Sequence, residues 1–296
     1  MGKIGAVFAG RTHYNKPCKR RRNCAKISVL FQNTGIGTMQ QGVWQQKWVI
    51  GNWKMNGSSA QNTRLLEEIC ALPQADKVCV GVVPPALYLA PTAAQLAAAN
   101  SANPICLSAQ MASRFNGSGA YTGEISAPML ADVGVKLVLV GHSERSLYFA
   151  ETAEQRRSQL EHILAAGLQP LLCVGESLAQ REAEQHFDTV AAQLAVLKDL
   201  SFANGVAVAY EPVWAIGTGK TATPEQIGEM HQFIYDTLLS LLGGSVNIRI
   251  LYGGSVNDQN AAAIFRVAHV DGALVGGASL KSEAFAAIIR AAQETD

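Results

Sequence analysis

The chain has 296 residues, 48% of them hydrophobic and 16% charged, which suits one large globular domain or two small ones. No apolar stretch approaches the roughly 18 residues that a membrane helix needs, so we expect a soluble protein that does not bind membranes. Residues 1–46 contain eight Lys or Arg and no Asp or Glu. The rest of the chain has 16 basic and 23 acidic residues and therefore a net charge of −7. This acidic balance argues against nucleic-acid binding.

The first segment, residues 1–46, shows no sustained periodicity and contains the basic cluster Lys19-Arg20-Arg21-Arg22. Three interpretations compete: a disordered tail, a targeting segment, or a start codon placed too far upstream, with the true start near Met39. A transit peptide is typically Ser-rich, whereas Ser28 is the only serine here. We therefore favour a start-site artefact or a disordered appendage, and native protein that begins at Met1 would exclude the artefact.

From Lys47 onward, short apolar runs alternate with segments of helical spacing such as "TRLLEEICAL", "EQRRSQLEHILAAG" and "PEQIGEMHQFIYDTLLSLL". Eight runs are strand-like: 47–53, 77–83, 104–109, 136–141, 169–174, 206–211, 247–252 and 270–276. Strands that alternate with helices predict a parallel sheet with crossover helices, and their continuous apolarity predicts cover on both faces.

A doubly wound sheet and a closed barrel both fit this alternation. The body from 47 to 296 has the typical length of a barrel, about 250 residues, and no Gly-x-Gly-x-x-Gly follows the first strand. We therefore predict an α/β protein with a single (β/α)8 barrel domain over 47–296, preceded by an unstructured basic extension over 1–46.

Polar residues stand at the C-terminal ends of several predicted strands, which converge on one mouth of such a barrel. Asn52 and Lys54 follow the first strand, His142 and Glu144 the fourth, and Glu211 the sixth. Glu211 comes after five apolar residues, and poor solvation would make it a stronger base. Each residue also has a purely structural alternative. His142 would then be a core histidine, Lys54 a surface lysine, and Glu211 a partner in a salt bridge that faces a helix.

Glycine-rich turns follow the last three predicted strands. The stretch "AYEPVWAIGTGKTAT" ends like a nucleotide-binding P-loop, but Trp214 stands where the first glycine of that motif belongs. The turns 217–219, 253–255 and 276–277 therefore indicate backbone N–H groups that bind a phosphate rather than a nucleotide.

The six cysteines show no CxxC or paired metal-ligand spacing. They indicate reduced thiols in a cytoplasmic protein. We expect no metal site and no cofactor.

Six motifs are found in the order and at the spacing of one family. The motifs "GNWKMNG", "GAYTGE", "GHSER", "AYEPVWAIGTGK", "YGGSV" and "GALVGGASL" resemble those of the triosephosphate isomerase family, from about Lys47 to the C-terminus. The resemblance implies interconversion of dihydroxyacetone phosphate and D-glyceraldehyde 3-phosphate through an enediolate, in glycolysis and gluconeogenesis, without a cofactor.

The resemblance also implies roles for residues. Glu211 is then the base, His142 and Lys54 stabilise the enediolate oxygens, Asn52 assists as a donor, and Glu144 has a supporting or proton-relay role. The substrate phosphate is then bound by Gly217, Ser255, Gly276 and Gly277, under a lid formed by 212–220.

Family members assemble as dimers, and residues 113–124 resemble the loop that inserts into the partner, with Thr122 and Glu124 at its functional positions. This chain departs from the family pattern in three places: a loop one residue longer before Gly119, Met111 after Gln110, and Ser146 where a second arginine usually follows Arg145.

Two rival functions remain open from the residues. A barrel aldolase would form a Schiff base, for which Lys54 is the only strand-end candidate. A scaffold protein that has kept the pocket would bind without catalysis.

Overall fold

The computed structural model describes residues 41–99, 101–216, 221–244 and 246–295. The strands are β1 Lys47–Asn52, β2 Val78–Val83, β3 Cys106–Ala109, β4 Leu137–Val140, β5 Gln169–Val174, β6 Val206–Tyr210, β7 Ile248–Tyr252 and β8 Gly272–Val275. The α-helices are α1 Ser59–Cys70, α2 Leu89–Ala98, α3 Ala127–Asp132, α4 Ser143–Phe149, α5 Ala153–Ala165, α6 Leu178–Glu182, α7 His186–Leu194, α8 Pro224–Leu242, α9 Ala261–Phe265 and α10 Ser282–Gln293.

The strands form a closed parallel barrel in sequence order. Each strand pairs with the next, and β8 returns to β1 with Trp48 opposite Gly272 and Gly51 opposite Val275. This confirms the predicted (β/α)8 barrel. The run 169–174 matches β5, and the other strand ends differ from the predicted runs by one or two residues.

The seam between β8 and β1 depends on Gly272. A Cβ atom at this residue would lie 2.0 Å from the carbonyl oxygen of Trp48, far inside van der Waals contact. Any other residue would push β8 away from β1, so the backbone approach that closes the barrel requires glycine here.

Two apolar cores follow from the alternation of side chains along the strands. One fills the barrel interior and includes Trp48, Ile50, Ala207, Ala209 and Leu274. The larger one lies between the strands and the surrounding helices. With both faces covered, the polar ends of the strands remain as the place for chemistry.

The packed body begins before Lys47, the start of the predicted barrel. Residues Gln41–Gln45 form a 3-10 turn that places Trp44, 5% exposed, against Trp48 with ring centroids 5.1 Å apart. The Nε1 of Trp48 donates to the carbonyl of Val43 at 2.9 Å. Trp44 is the single buried apolar residue of this turn, and its neighbours in the sequence are mostly polar. The sequence therefore shows no apolar periodicity here. The first 40 residues of the predicted extension lie outside the described residues.

The described cysteines Cys70, Cys79, Cys106 and Cys173 are free thiols, while Cys18 and Cys24 lie outside the described residues. None of the helices in the described part of the chain is long and apolar enough to cross a membrane.

Candidate active site

A cleft of about 430 Å³ opens at the C-terminal mouth of the barrel. The predicted site residues that line it are Asn52, Lys54, His142, Glu211, Ser255, Gly276 and Gly277. Asn52 is the last residue of β1 and the others follow β1, β4, β6, β7 and β8, so the barrel brings together groups that are far apart in the sequence.

Glu211 lies at the inner wall of this cleft. Ala207 and Ala209 on β6 face the barrel interior, so the two-residue period places the side chain of Glu211 inside, at the mouth. The residue is only 2% exposed. Its Oε2 accepts the backbone N–H of Ser143 at 3.0 Å, and its Oε1 lies 3.2 Å from Nε2 of His142. The structure therefore holds a buried carboxylate with a donor on each oxygen.

His142 is the N-cap residue of α4. Its Nδ1 accepts the backbone N–H of Glu144 at 3.3 Å. The same Nδ1 lies 3.6 Å from Oε2 of Glu144, and Nε2 faces Glu211. The ring therefore stands between two carboxylates, with Nε2 turned towards Glu211 in the cleft.

Lys54 contributes the cationic group of the cleft. Its Nζ donates to Oε1 of Glu144 at 2.6 Å. Its backbone has φ of 50°, a strained conformation for a residue other than glycine. Two contacts hold that backbone: Oδ1 of Asn52 accepts the N–H of Lys54 at 3.0 Å, and Nε2 of Gln110 donates to its carbonyl at 2.7 Å. Lys54 is therefore fixed at both its backbone and its head group.

The thiol of Cys173 lies in the barrel interior near Glu211. Burial raises the pKa of this thiol well above its usual value, and the nearby Glu211 carboxylate raises it further. Cys173 therefore stays a neutral thiol near the carboxylate.

The glycine-rich turns after β7 and β8 also line the cleft. Gly277 begins the 3-10 turn Gly277–Leu280, and a Cβ on Gly276 would lie 3.6 Å from Cε of Lys54. The hydroxyl of Ser255 donates to the carbonyl of Ala215 at 2.7 Å. Gly217, predicted to bind phosphate, lies outside the described residues.

A buried carboxylate that the sequence analysis did not single out lies beneath the start of the predicted lid. Oε1 of Glu176, which is fully buried, accepts hydrogen bonds from the Tyr210 hydroxyl at 3.1 Å, Nε1 of Trp214 at 2.9 Å and Nη1 of Arg181 at 3.2 Å. The carbonyl of Glu176 also accepts the N–H of Val213 at 3.0 Å. Glu176 thus anchors the segment that follows β6 at Val213 and Trp214.

Thr122 and Glu124 lie away from the cleft. Both are exposed on the loop that begins at Ser113, whose N–H donates to the carbonyl of Ile125 at 2.8 Å. Within this loop the rings of Phe115 and Tyr121 stack with centroids 3.9 Å apart. The loop therefore projects as a self-packed unit and does not complete the cleft of its own barrel.

Sequence reasoning also missed the backbone N–H of Ser143 and the amides of Asn56 and Asn257 at the cleft. The Ser143 contact had a signal in the sequence, because a strand followed directly by a helix presents free N–H groups at the helix start. The two asparagines gave no such signal.

Comparison with known proteins agrees with this geometry. The family model of triosephosphate isomerase matches residues 47–292. The chain is 56% identical over 253 residues to the triosephosphate isomerase of Neisseria meningitidis, covering 85% of this chain and 99% of that protein. It is 47% identical to the enzyme of Paracidovorax citrulli, covering 84% and 99%, and 45% identical to that of Acinetobacter baumannii, covering 82% and 95%. The chain therefore belongs to the triosephosphate isomerase family.

Proposed function

We propose that this protein interconverts dihydroxyacetone phosphate and D-glyceraldehyde 3-phosphate through an enediolate, in glycolysis and gluconeogenesis. The observation that carries the proposal is the buried Glu211 carboxylate, 3.2 Å from Nε2 of His142, in the same cleft as Lys54. The reaction moves a proton between adjacent carbons and needs a base and electrophilic donors but no redox group.

Glu211 is the proposed base. Each of its oxygens contacts one donor, His142 or the Ser143 N–H, and because a carboxylate oxygen has two lone pairs, each oxygen keeps one for a carbon-bound proton. Burial keeps bulk water from the carboxylate, which favours proton abstraction from the substrate.

His142, Lys54 and Asn52 are the proposed stabilisers of the enediolate. A carboxylate alone is too weak to remove a carbon-bound proton unless the developing oxygen charge is stabilised, and each donor is typically worth about 100- to 1000-fold in rate. With Oδ1 of Asn52 engaged by Lys54, the amide N–H2 is the group left for the substrate. Glu144 supports the reaction by holding the Lys54 head group.

The substrate phosphate is proposed to bind to the backbone of Gly276 and Gly277 and to Ser255, with Gly217 from the lid. Backbone N–H groups at the start of a short helical turn are a suitable anion site. Closure of the lid, 212–220, would exclude water and hinder loss of phosphate from the enediol.

The aldolase alternative fits the contacts of Lys54 less well. Schiff-base chemistry needs an uncharged amine in an apolar pocket, whereas Lys54 Nζ donates to the carboxylate of Glu144. Borohydride trapping of substrate on Lys54 would instead support the aldolase.

The test of the function is turnover of glyceraldehyde 3-phosphate by the full chain, coupled to a dehydrogenase that consumes the product. The wild-type chain is expected to isomerise the substrate rapidly. In Glu211→Asp the shorter side chain withdraws the carboxylate by about 1 Å, so kcat should fall at least about 100-fold. Glu161→Asp, on the surface of α5, is the control and should keep full activity. A folded Glu211→Asp protein with near-wild-type turnover contradicts the role of Glu211.

We further infer that the protein assembles as a homodimer. Large apolar side chains are exposed in the described part of the chain, including Met55, Leu87, Leu147, Tyr148 and Phe149. Leu147, Tyr148 and Phe149 are consecutive at the end of α4, and an exposed apolar cluster of this kind is typical of an interaction surface. The projecting loop with Thr122 and Glu124 is the proposed contact with the second copy.

Light scattering is expected to give twice the 31.5 kDa mass of one chain. Tyr148→Asp places a charge on the proposed interface and should shift the protein towards the monomer. Leu178→Asp, at another exposed apolar residue, should leave the dimer intact. A monomeric wild-type chain at micromolar concentration contradicts the assembly.

The cytoplasm is the proposed compartment, because the described cysteines are unpaired thiols, as reducing conditions favour. Cell fractionation with activity measurements tests this location.

A further inference from the structure

The short helix α4 carries three contacts of the candidate site. Its N-cap, His142, faces the base, the N–H of Ser143 binds Glu211, and Glu144 binds Lys54. A shift of this helix therefore moves the donors of the base and the partner of the cation together.

Arg156 of the neighbouring helix α5 packs directly against this segment. A Cβ on Gly141, the residue before His142, would lie 2.9 Å from Cδ of Arg156. The guanidinium Nη2 donates to the hydroxyl of Ser146 on α4 and to the carbonyl of Glu151. The arginine side chain is 11% exposed, so its stem and head group are both part of the packed structure.

The carboxylate of Glu151 completes the link between the two helices. It is 4% exposed and lies 3.7 Å from Nε of Arg156. It also accepts from Nε of Arg145 on α4 at 3.4 Å and from Nε2 of Gln159 on α5 at 3.2 Å. A buried carboxylate that binds groups of both helices fixes their relative position, because each bond lost would leave a desolvated charge.

Ser146 is one of the places where this chain departs from the family pattern, which usually has a second arginine there. In this structure the hydroxyl of Ser146 receives a guanidinium from α5 instead. A guanidinium of α5 is therefore bound directly to the first turn of α4.

We propose that Arg156 is a positioning residue for the isomerisation: through the Ser146 hydroxyl and the Glu151 carbonyl its guanidinium holds the first turn of α4, and with it His142 and the Ser143 N–H, against Glu211. The inference rests on the proposed isomerase function and adds to it a residue that does not touch the substrate.

The expected kinetic effect follows from what α4 contacts. The helix meets the base and the enediolate donors, whereas the proposed phosphate groups lie on the turns after β7 and β8. Displacement of α4 should therefore lower kcat and leave KM nearly unchanged. A misplacement of about 1 Å can cost up to about 100-fold in rate.

Three variants of the full chain test the proposal. Arg156→Met keeps the aliphatic stem, removes the guanidinium and should lower kcat about 10- to 100-fold, with KM changed less than about twofold. Arg156→Met/Ser146→Arg returns a guanidinium from α4 and should recover most of the lost kcat. Arg157→Met is the matched control, because this next arginine of α5 pairs with Glu161 and not with α4, and it should keep wild-type kcat.

Several outcomes would overturn the proposal: wild-type kcat in Arg156→Met, an equal loss in Arg157→Met, or no recovery in the double variant. A loss that disappears at higher protein concentration also overturns it, because the defect would then lie in subunit assembly. Circular dichroism at the assay temperature establishes that each variant is folded. Inactive wild-type protein would refute the proposed isomerase function itself, which separates the two failures.

Discussion

His231 shows how a single buried residue makes the stability of this protein depend on pH. Its ring is fully buried on α8, with ring centroids 5.9 Å from Tyr210 and 6.5 Å from Tyr252. Its Nδ1 donates to the carbonyl of His269 at 2.8 Å. Burial lowers the pKa of His231 from 6.5 to about 4, so the folded protein holds the ring neutral.

In the unfolded chain His231 is protonated below its ordinary pKa of 6.5, whereas in the folded chain it is protonated only below about pH 4. The folding stability that depends on the neutral ring is therefore full above pH 6.5 and is lost as the pH falls towards 4. At pH 5 the loss is about 2 kcal/mol relative to pH 7.5. Urea unfolding at both pH values measures the free energy of unfolding of the wild-type chain and of His231→Asn. The difference between the two pH values should be smaller in His231→Asn by about 2 kcal/mol. Equal pH dependence in the two proteins contradicts the assignment.

The residues that sequence reasoning identified share one property. His142, Lys54 and Glu211 follow apolar strands directly, so the chain order alone places them at one mouth of a barrel. Glu176 and Arg156 could not be found this way. Their partners lie on other elements, and only the packing of helices on the barrel shows which polar groups meet.

Among the elements, the strands were predictable from the sequence, whereas the 3-10 turn Gln41–Gln45 at the start of the packed body was not. The run predicted at 169–174 is β5, and "PEQIGEMHQFIYDTLLSLL" is α8 from its first to its last residue. Thr223 caps α8 and Pro224 opens it, which are sequence signals of a helix start. The 3-10 turn Gln41–Gln45 has no periodicity, because it holds a single anchor, Trp44.

Trp44 closes the N-terminal end of the barrel, and its removal is expected to cost stability. Trp44→Ala would leave a cavity beside Trp48 and should lower the free energy of unfolding by about 3 kcal/mol. Gln45→Ala, in the same turn and exposed, should change it by less than about 0.5 kcal/mol. Chemical denaturation measures both variants. If the two substitutions cost the same, the turn does not contribute to the core.

For the whole molecule, we propose that residues 1–40 are dispensable and that the catalytic body includes residues 41–46. A chain that starts at Gln41 keeps Trp44 and should match the full chain in kcat and in its unfolding midpoint. A chain that starts at Lys47 loses Trp44 and should unfold at a lower temperature. Calorimetry and the isomerase assay on the three chains decide this, and a loss of activity on removal of 1–40 contradicts the proposal.

The pairing of β8 with β1 at Gly272 determines when, during its synthesis, the protein becomes active. During translation Asn52 and Lys54 emerge from the ribosome first, whereas Gly276 and Gly277 follow β8, near the end of the message. Until β8 is released and pairs with β1, both strands beside the gap present unpaired N–H and C=O groups to other nascent chains. The time at which isomerase activity appears during cell-free synthesis therefore measures when the barrel closes. Chains on ribosomes stalled before β8 should have no activity.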